Sequence, residues 1–456
     1  MDADARLPAF RGQPQAPTPT EVGDLPEASI STSNLPGETP VPLLELPPEL
    51  IQQILSFLSA QDLARLSATC RSLAEHATNG LLWANIINSY LPEPIHDPGV
   101  FNSFRDLYAA HHPCWFIPRH KIWFSDTEHT GNLILARYDH RRGVIEGYRV
   151  ISERRSHQFQ IWDCNPDVII QTFNPRVRLW LDDPVLLLKN LRERQPWHLP
   201  GETRMPMALE SQHVFSAFSL CSAHLSPNLE SAKQWPPQTI PSNHRINRDL
   251  DIEAPHQERY PRQVDDLSEH AFRIRRWANF RLGGNLFGAS SPNVTLSTFA
   301  TLDPKLYTPT RMKPYQGIWV GDYSAHGCEF LLFLQRGRED EHASPAETSV
   351  SEETIPQYSL EAVKLTGDPN VPRGELSFVA DDTGPGGLLR IADETLFQGA
   401  RIVRCRGHVA GLGFRDDTFI PSQLILISPE CVAHYWESMG HISYYRRLDI
   451  DALLRI

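Results

Sequence analysis

Several stretches of this 456-residue chain have the residue types and spacing from which chemistry is built. In His326-Gly327-Cys328-Glu329 a strand would put His326 and Cys328 on one face, as a metal pair requires. A protein zinc site takes three or four ligands, and no further cluster lies near, so neither a metal nor a cofactor is expected. His111, His112 and Cys114 follow a helical segment, where exposed histidines are ordinary. The tract Arg273-Ile-Arg-Arg-Trp-Ala-Asn-Phe-Arg281 interleaves basic and aromatic residues. It suits nucleic acid or an acidic peptide, although a solvated face is the simpler reading. A phosphate reader would need its arginines to converge in space, which spacing alone does not show. Ser, His and Asp are too abundant for counting to exclude a triad. Yet no GxSxG elbow, HExxH, P-loop or dinucleotide fingerprint occurs, and the chain is expected to be non-catalytic.

A different chemistry, that of recognition, is offered by Gly317-Ile-Trp-Val-Gly-Asp-Tyr-Ser-Ala-His-Gly-Cys-Glu329. Trp319 and Tyr323 share one face by period two, and Gly317 and Gly321 beside them permit close backbone approach or a bulge. Trp319, Tyr323 and His326 are therefore the candidate substrate-binding residues, as an aromatic-lined pocket. The competing reading is sheet core plus a tight hairpin at 325–327. It is the simpler one for Trp319, while both stand for Tyr323.

The elements that must position these residues fall into two kinds. Residues 1–41 are rich in Pro, Thr, Ser and Glu without period, and are expected to be disordered. From Leu43 the pattern turns helical. Pro48 suits a helix start, and Leu50, Ile51, Ile54, Leu55 and Leu58 recur at helical spacing. Ser59 with Asp62 resembles a capping box; Leu63, Leu66, Cys70 and Leu73 form the next stripe, and Leu81, Leu82, Trp83, Ile86 and Ile87 a third group. Residues 93–112 read as a further helical piece burying Phe101, Phe104, Leu107 and Tyr108.

After Pro113 the signal is of short strands bounded by turn residues. They are expected at 115–124, 132–138, 148–152, 159–163, 168–173, 177–181 and 185–189, then at 317–323, 329–334, 360–365, 376–379, 396–403, 424–427, 432–436 and 442–446. Two polar segments, 198–270 and 337–356, read as surface insertions. The fold class is α+β multidomain, with a short helical unit followed by an all-β antiparallel domain. A closed barrel is favoured because closure removes exposed edges.

The stretch LPPELIQQILSFLSAQDLARLSATCRSLAEHATNGLLW then resembles the F-box family. The Leu-Pro start, the Ile-x-x-Ile-Leu-x-x-Leu helix, the Asp-Leu opening of helix two, Leu-x-x-Thr-Cys-Arg-x-Leu and the closing Leu-Trp match in order over residues 42–92, with 93–114 as connector. The resemblance implies binding to the adapter Skp1 and, through it, to a cullin ubiquitin ligase. Leu46, Pro47, Pro48, Leu50, Ile51, Ile54, Leu55, Leu58, Leu63, Cys70, Leu82 and Trp83 are the candidate Skp1 contacts. Of these Leu46, Pro47, Ile51, Leu55 and Leu82 are expected to face outward, with Leu66 and Leu73 in the unit's own core. The plain alternative is a three-helix core packed on the β-domain. With Leu365-Thr-Gly-Asp-Pro-Asn-Val-Pro372, the run 317–329 is similar to the substrate domain of the F-box-only subgroup whose animal member targets D-type cyclins. That resemblance covers most of 115–456 and implies a β-barrel that binds a protein substrate.

Bulk properties fit this picture. The formal charge of −12 argues against non-specific nucleic-acid binding, which needs a basic face. The seven cysteines form no CxxC pair, so a reducing compartment fits. Neither a signal peptide nor an apolar run of the roughly 18 residues of a membrane helix is seen, and a cytoplasmic or nuclear location is expected. Two alternatives are a barrel that binds a small apolar ligand, and an Skp1 partner acting outside a cullin ligase.

Overall fold

The computed structural model describes residues 43–127, 129–154, 159–171, 173–191, 201–207, 214–222, 264–278, 294–323, 326–337 and 358–455, with the short pieces 234–235, 240, 246–247 and 261. The segment 1–41 and nearly all of 337–356 lie outside the described residues.

Four short helices open the chain: α1 (Pro48–Leu55), α2 (Ala60–Leu66), α3 (Arg71–Ala77) and α4 (Gly80–Asn88). Local chemistry sets their starts. Pro48 occupies the first position of α1. Ser59 Oγ accepts from the Asp62 N–H at 3.1 Å and donates to the Asp62 carboxylate at 2.7 Å, and Asn79 Oδ1 caps Leu81 at 2.9 Å. Each helix alone is too short to persist in water, so their stability must come from packing. Ile51, Leu55, Leu63, Ala77, Leu82 and Trp83 form that small core, and the Trp83 indole N–H donates to the Ala77 carbonyl at 2.8 Å.

The connector is helical only from α5 (Phe104–His111), less than expected. Pro92, Pro94 and Pro98 withhold backbone donors and bias their predecessors away from helix. The strand expected over 115–124 is also corrected: α6 (Phe116–His120) fills its first half.

The strands are β1 (Ile122–Ser125), β2 (Leu133–Asp139), β3 (Val144–Glu153), β4 (Phe159–Trp162), β5 (Asn165–Gln171), β6 (Arg176–Leu179), β7 (Leu186–Leu188), β8 (Glu202–Arg204), β9 (Val214–Ser222), β10 (Gln234–Trp235), β11 (Ile246–Asn247), β12 (Leu267–Ala278) and β13 (Val294–Thr301). After α7 (Pro304–Tyr307) come β14 (Gly317–Asp322), β15 (Cys328–Gly337), β16 (Tyr358–Lys364), β17 (Leu376–Ala380), β18 (Leu388–Ile391), β19 (Arg401–Gly411), β20 (Arg415–Ser428), β21 (Cys431–Trp436) and β22 (His441–Arg447), then α8 (Ile450–Leu454). The segment 198–270 is thus not a plain insertion, since it supplies β8, β9 and the start of β12. The strand expected from 396 begins only at Arg401, after a turn in which Gly399 takes φ +79°.

These strands build two large sheets and a two-stranded β10–β11 ribbon where one barrel was expected. β14-β15-β16-β17-β19-β20-β21-β22 run antiparallel, and β22 returns to β14 by pairing Trp319 with Arg447 and Gly321 with Tyr445. The ring is a closed barrel of eight strands, a size whose lumen side chains just fill. The other sheet has nine strands in the order β6-β3-β2-β1-β13-β12-β9-β8, with β7 also on β3.

One apolar cluster joins the two sheets, with Ile122, Phe124, Leu133 and Leu135 from the open sheet against Ile318, Val320, Leu332 and Ile442 on the barrel's outer wall. On its other face the open sheet packs Trp123, Ile134, Phe272 and Phe299 against Phe116 and Ile117 of α6. The β4–β5 hairpin, although encoded between strands of the open sheet, is added to the barrel through the parallel pairing of Ile170 with Ile442. At the junction with the helices, His111 is buried, contrary to the exposed position expected, and its Nε2–H donates to the Gly143 carbonyl at 3.0 Å.

Candidate functional site

Helix α1 carries two apolar stripes. Ile51 and Leu55 enter the helical core, whereas Leu50, Ile54 and, just past the helix, Phe57 follow one another at spacings of four and three on the adjoining face. Phe57 is 83% exposed and Leu81, at the start of α4, 70% exposed; Leu43, Leu44, Leu50 and Ile54 are exposed as well. Pro47, Pro48 and Cys70 also lie at the surface, and Leu46 and Leu58 are half-buried.

The division expected from sequence is therefore corrected. Ile51, Leu55 and Leu82 are interior, as are Leu63 and Trp83, because α1 to α4 close together over one shared apolar cluster. Leu66 and Leu73 are only half-buried. Phe57 and Leu81 went unnoticed as surface residues, although the 50–54–57 spacing was the available signal. What the arrangement can do is associate: an apolar side chain taken fully from water contributes about 1.5–3 kcal/mol.

The aromatic run of the β-domain divides three ways. Trp319 is 0% exposed and lies in the barrel lumen, stacked on Phe333 at a centroid distance of 4.6 Å, with its indole N–H on the Tyr315 carbonyl at 2.9 Å. It is core, as the simpler of its two readings had it, and its candidate role as a substrate-binding pocket wall is corrected. Leu331, Phe378, Val403, Leu424 and Tyr445 complete the filling, so the room that a small apolar ligand would need is taken by side chains. Gly321 is required here, since a Cβ at that position would run into the Tyr445 ring.

Tyr323 sits at one end of the same lumen. Its hydroxyl bonds Ser377 and lies 3.4 Å from the Tyr445 hydroxyl, and the Lys364 ammonium rests over its ring at 4.5 Å. His326 is exposed on the β14–β15 turn and is not brought together with the other two.

The polar end of the lumen is built on an ion group that sequence reasoning missed. Lys364 Nζ lies 2.6 Å from Asp368 Oδ2 and 2.8 Å from Glu329 Oε2, the latter outside hydrogen-bond alignment. Burial pushes the Glu329 carboxyl up to about 8 against the pull of Lys364. Burial also opposes ionisation of Asp368, but the Lys364 charge and hydrogen bonds hold it down at about 2. A carboxyl that burial shifts toward its protonated form thus stands beside a Lys–Asp pair. Among the described residues, Cys164, Asp393 and Glu394 are grouped closely enough to share an ion, but Arg390 already supplies the positive charge there, 2.8 Å from Glu394.

On the barrel's outer side a cleft of about 730 Å³ opens between β22, α8 and the segment 173–177, lined by Phe173, Val177, Tyr444, Arg446 and Leu453. Its lining combines apolar side chains with Arg446, Arg447 and Asp449.

Comparison with known proteins agrees with this geometry. Residues 43–89 match the F-box-like family, and residues 299–452, which span the barrel and the first residues of α8, match the cyclin D1 binding domain. Protein EXECUTER 2, chloroplastic, from Arabidopsis thaliana is 30% identical over 145 residues, which is 31% of this chain and 21% of that protein. The chain thus spans about a fifth of that relative's length. An F-box-like domain here precedes a cyclin D1 binding domain, and in that combination the chain resembles the F-box-only subgroup whose animal member targets D-type cyclins.

Proposed function

We propose that the chain is the substrate-recognition subunit of an Skp1–cullin–F-box ubiquitin ligase. The observation that carries this reading is the second apolar stripe of α1, left in water while the first closes the helical core. Leu50, Ile54, Phe57 and Leu81, with Pro47 beside them, form the surface offered to Skp1. The β-domain holds a protein substrate, as the cyclin D1 binding domain match supports. No group of this chain performs chemistry in the proposal. The recruited conjugating enzyme transfers ubiquitin, and holding the target nearby raises its effective concentration. A reducing location, cytoplasmic or nuclear, is part of the same proposal.

The test is purified full-length protein carrying Leu50→Ala, Ile54→Ala and Phe57→Ala together, titrated with Skp1. A loss of at least 100-fold in affinity, with the urea unfolding midpoint unchanged, is expected. Undiminished Skp1 binding in a folded triple variant would sink the proposal.

A further inference from the structure

Strand alternation splits the basic tract of β12. Arg275 turns to one face, where it holds Glu202 through two bonds of 2.8 and 2.6 Å. Arg276 turns to the other, the face that carries Phe272 and Ile274. That face changes character along the strands. At one end it is the apolar cluster of Trp123, Ile134, Phe272 and Phe299 capped by α6; at the other it opens into a polar cleft of about 170 Å³.

Arg276 and Arg149, from distant parts of the chain, line this cleft together with Asn132, Thr295 and Ser297. One carboxylate, Asp183, also lines it and lies 3.2 Å from Arg149 Nη2. Arg149 Nε is buried without a hydrogen-bond partner. The Arg276 guanidinium meets Ser216 Oγ at 3.4 Å and no carboxylate among the described residues. Among the described residues that line the cleft, two guanidinium groups thus meet one carboxylate, and a buried donor has no partner. Such a donor costs free energy until something accepts from it.

The cleft therefore asks for an anion, and its donors select the kind. Guanidinium groups from β3 and β12, hydroxyls from β13 and the Asn132 amide ahead of β2 line the cleft from different segments, which suits three acceptor oxygens on a tetrahedral centre better than the planar pair of a carboxylate. The small volume admits one such group and not a length of chain. We propose that this cleft binds a phosphate monoester dianion, held by Arg149 and Arg276 with Asn132, Thr295 and Ser297 as neutral partners. The residues proposed to hold the anion lie outside residues 299–452, and of the cleft's lining Phe299 alone falls within the matched cyclin D1 binding domain. The site stands without the ligase reading; only a phosphate carried by a substrate protein would rest on it.

Calorimetric titration of the full chain at fixed ionic strength tests this, using N-acetyl-phosphoserine N-methylamide, glucose 6-phosphate, sulfate and acetate in turn. One-to-one binding of at least one monoester is expected, weakened at least tenfold by Arg149→Gln and by Arg276→Gln, and unchanged by Arg311→Gln at an exposed position. Ser297→Asp, which places a charge in the cleft without removing a guanidinium, is expected to abolish it and covers the case of a misfolded arginine variant. Tighter binding of the phosphoserine derivative identifies a phosphorylated side chain as the source, and tighter binding of the sugar phosphate identifies a metabolite. Absence of saturable binding by either monoester, equal binding of acetate, or indifference to all three cleft variants would overturn the site. None of these readouts involves Skp1, so failure here leaves the ligase proposal untouched, and the reverse holds.

Discussion

Helix α1 and strand β14 are equally apolar and end up in opposite circumstances. In β14 all six residues are buried: Trp319 projects into the lumen, and Ile318 and Val320 project onto the open sheet. In α1 the stripe of Ile51 and Leu55 is covered, and the stripe of Leu50 and Ile54 is not. The chain supplies both covers for the strand and one for the helix. The difference teaches where stability ends and association begins. A side chain that the fold already covers contributes to holding the fold, whereas an equally apolar one left in water contributes only when something else arrives.

The comparison breaks most easily at Trp319. Trp319→Ala removes an indole from a filled lumen, leaves a cavity beside Phe333 and strips the Tyr315 carbonyl of its donor. A loss of about 3–5 kcal/mol is expected from urea denaturation followed by tryptophan-independent circular dichroism. A loss under about 1 kcal/mol would mean that the lumen tolerates a void and that Trp319 is available for another role. Skp1 affinity of the folded fraction should not change.

How much of this could be read from residues alone follows from the range of the forces. Helix starts at Pro48 and Ser59 depend on neighbours three residues away, and both were legible. Strand existence was legible where a short β-prone run is bounded by turn residues, as in Phe330-Leu-Leu-Phe-Leu334, whereas β9 and β13 were not foreseen. Which stripe of α1 turns inward was not, because 50–54 and 51–55 have the same helical spacing and the choice is made by α3 and α4. Nor was the division into two sheets, since it rests on pairings such as Gly321 with Tyr445 and Ile170 with Ile442 between distant segments. The Lys364–Glu329–Asp368 group was hidden for the same reason. His326 and Trp319, by contrast, were adjacent in a motif and separated by the turn that follows β14.

Acid sharpens the comparison from the covered side. Burial lowers His111 to about 4, with its bond to Gly143 opposing the shift, and lowers His434 to about 3. Unfolded histidine takes a proton near pH 6.5, while these two stay neutral in the fold until far lower. Their contribution to stability is whole above pH 6.5 and is lost as the pH falls toward 4. By linkage each accounts for about 2 kcal/mol between pH 7 and pH 5. In urea titrations at the two pH values His111→Gln should reduce the acid-induced loss by about that amount. An unchanged difference would show that His111 gains a proton without unfolding.

The smallest effect is the one that the comparison needs most. Phe57 is the most exposed large apolar residue of the helical unit, and its ring covers little of the core. Phe57→Ala should therefore move the unfolding free energy by no more than about 0.5 kcal/mol, as for an ordinary surface position. The same substitution in Trp319 is expected to be several times costlier, although both residues are aromatic and both were drawn from apolar runs. If Phe57→Ala instead destabilised the chain by 2 kcal/mol or more, the outer stripe would already be covered in the isolated protein, and the distinction between a face that folds and a face that waits would fail. If stability holds while Skp1 affinity falls, the same side chain will have been measured as nothing to the fold and as an anchor to the partner.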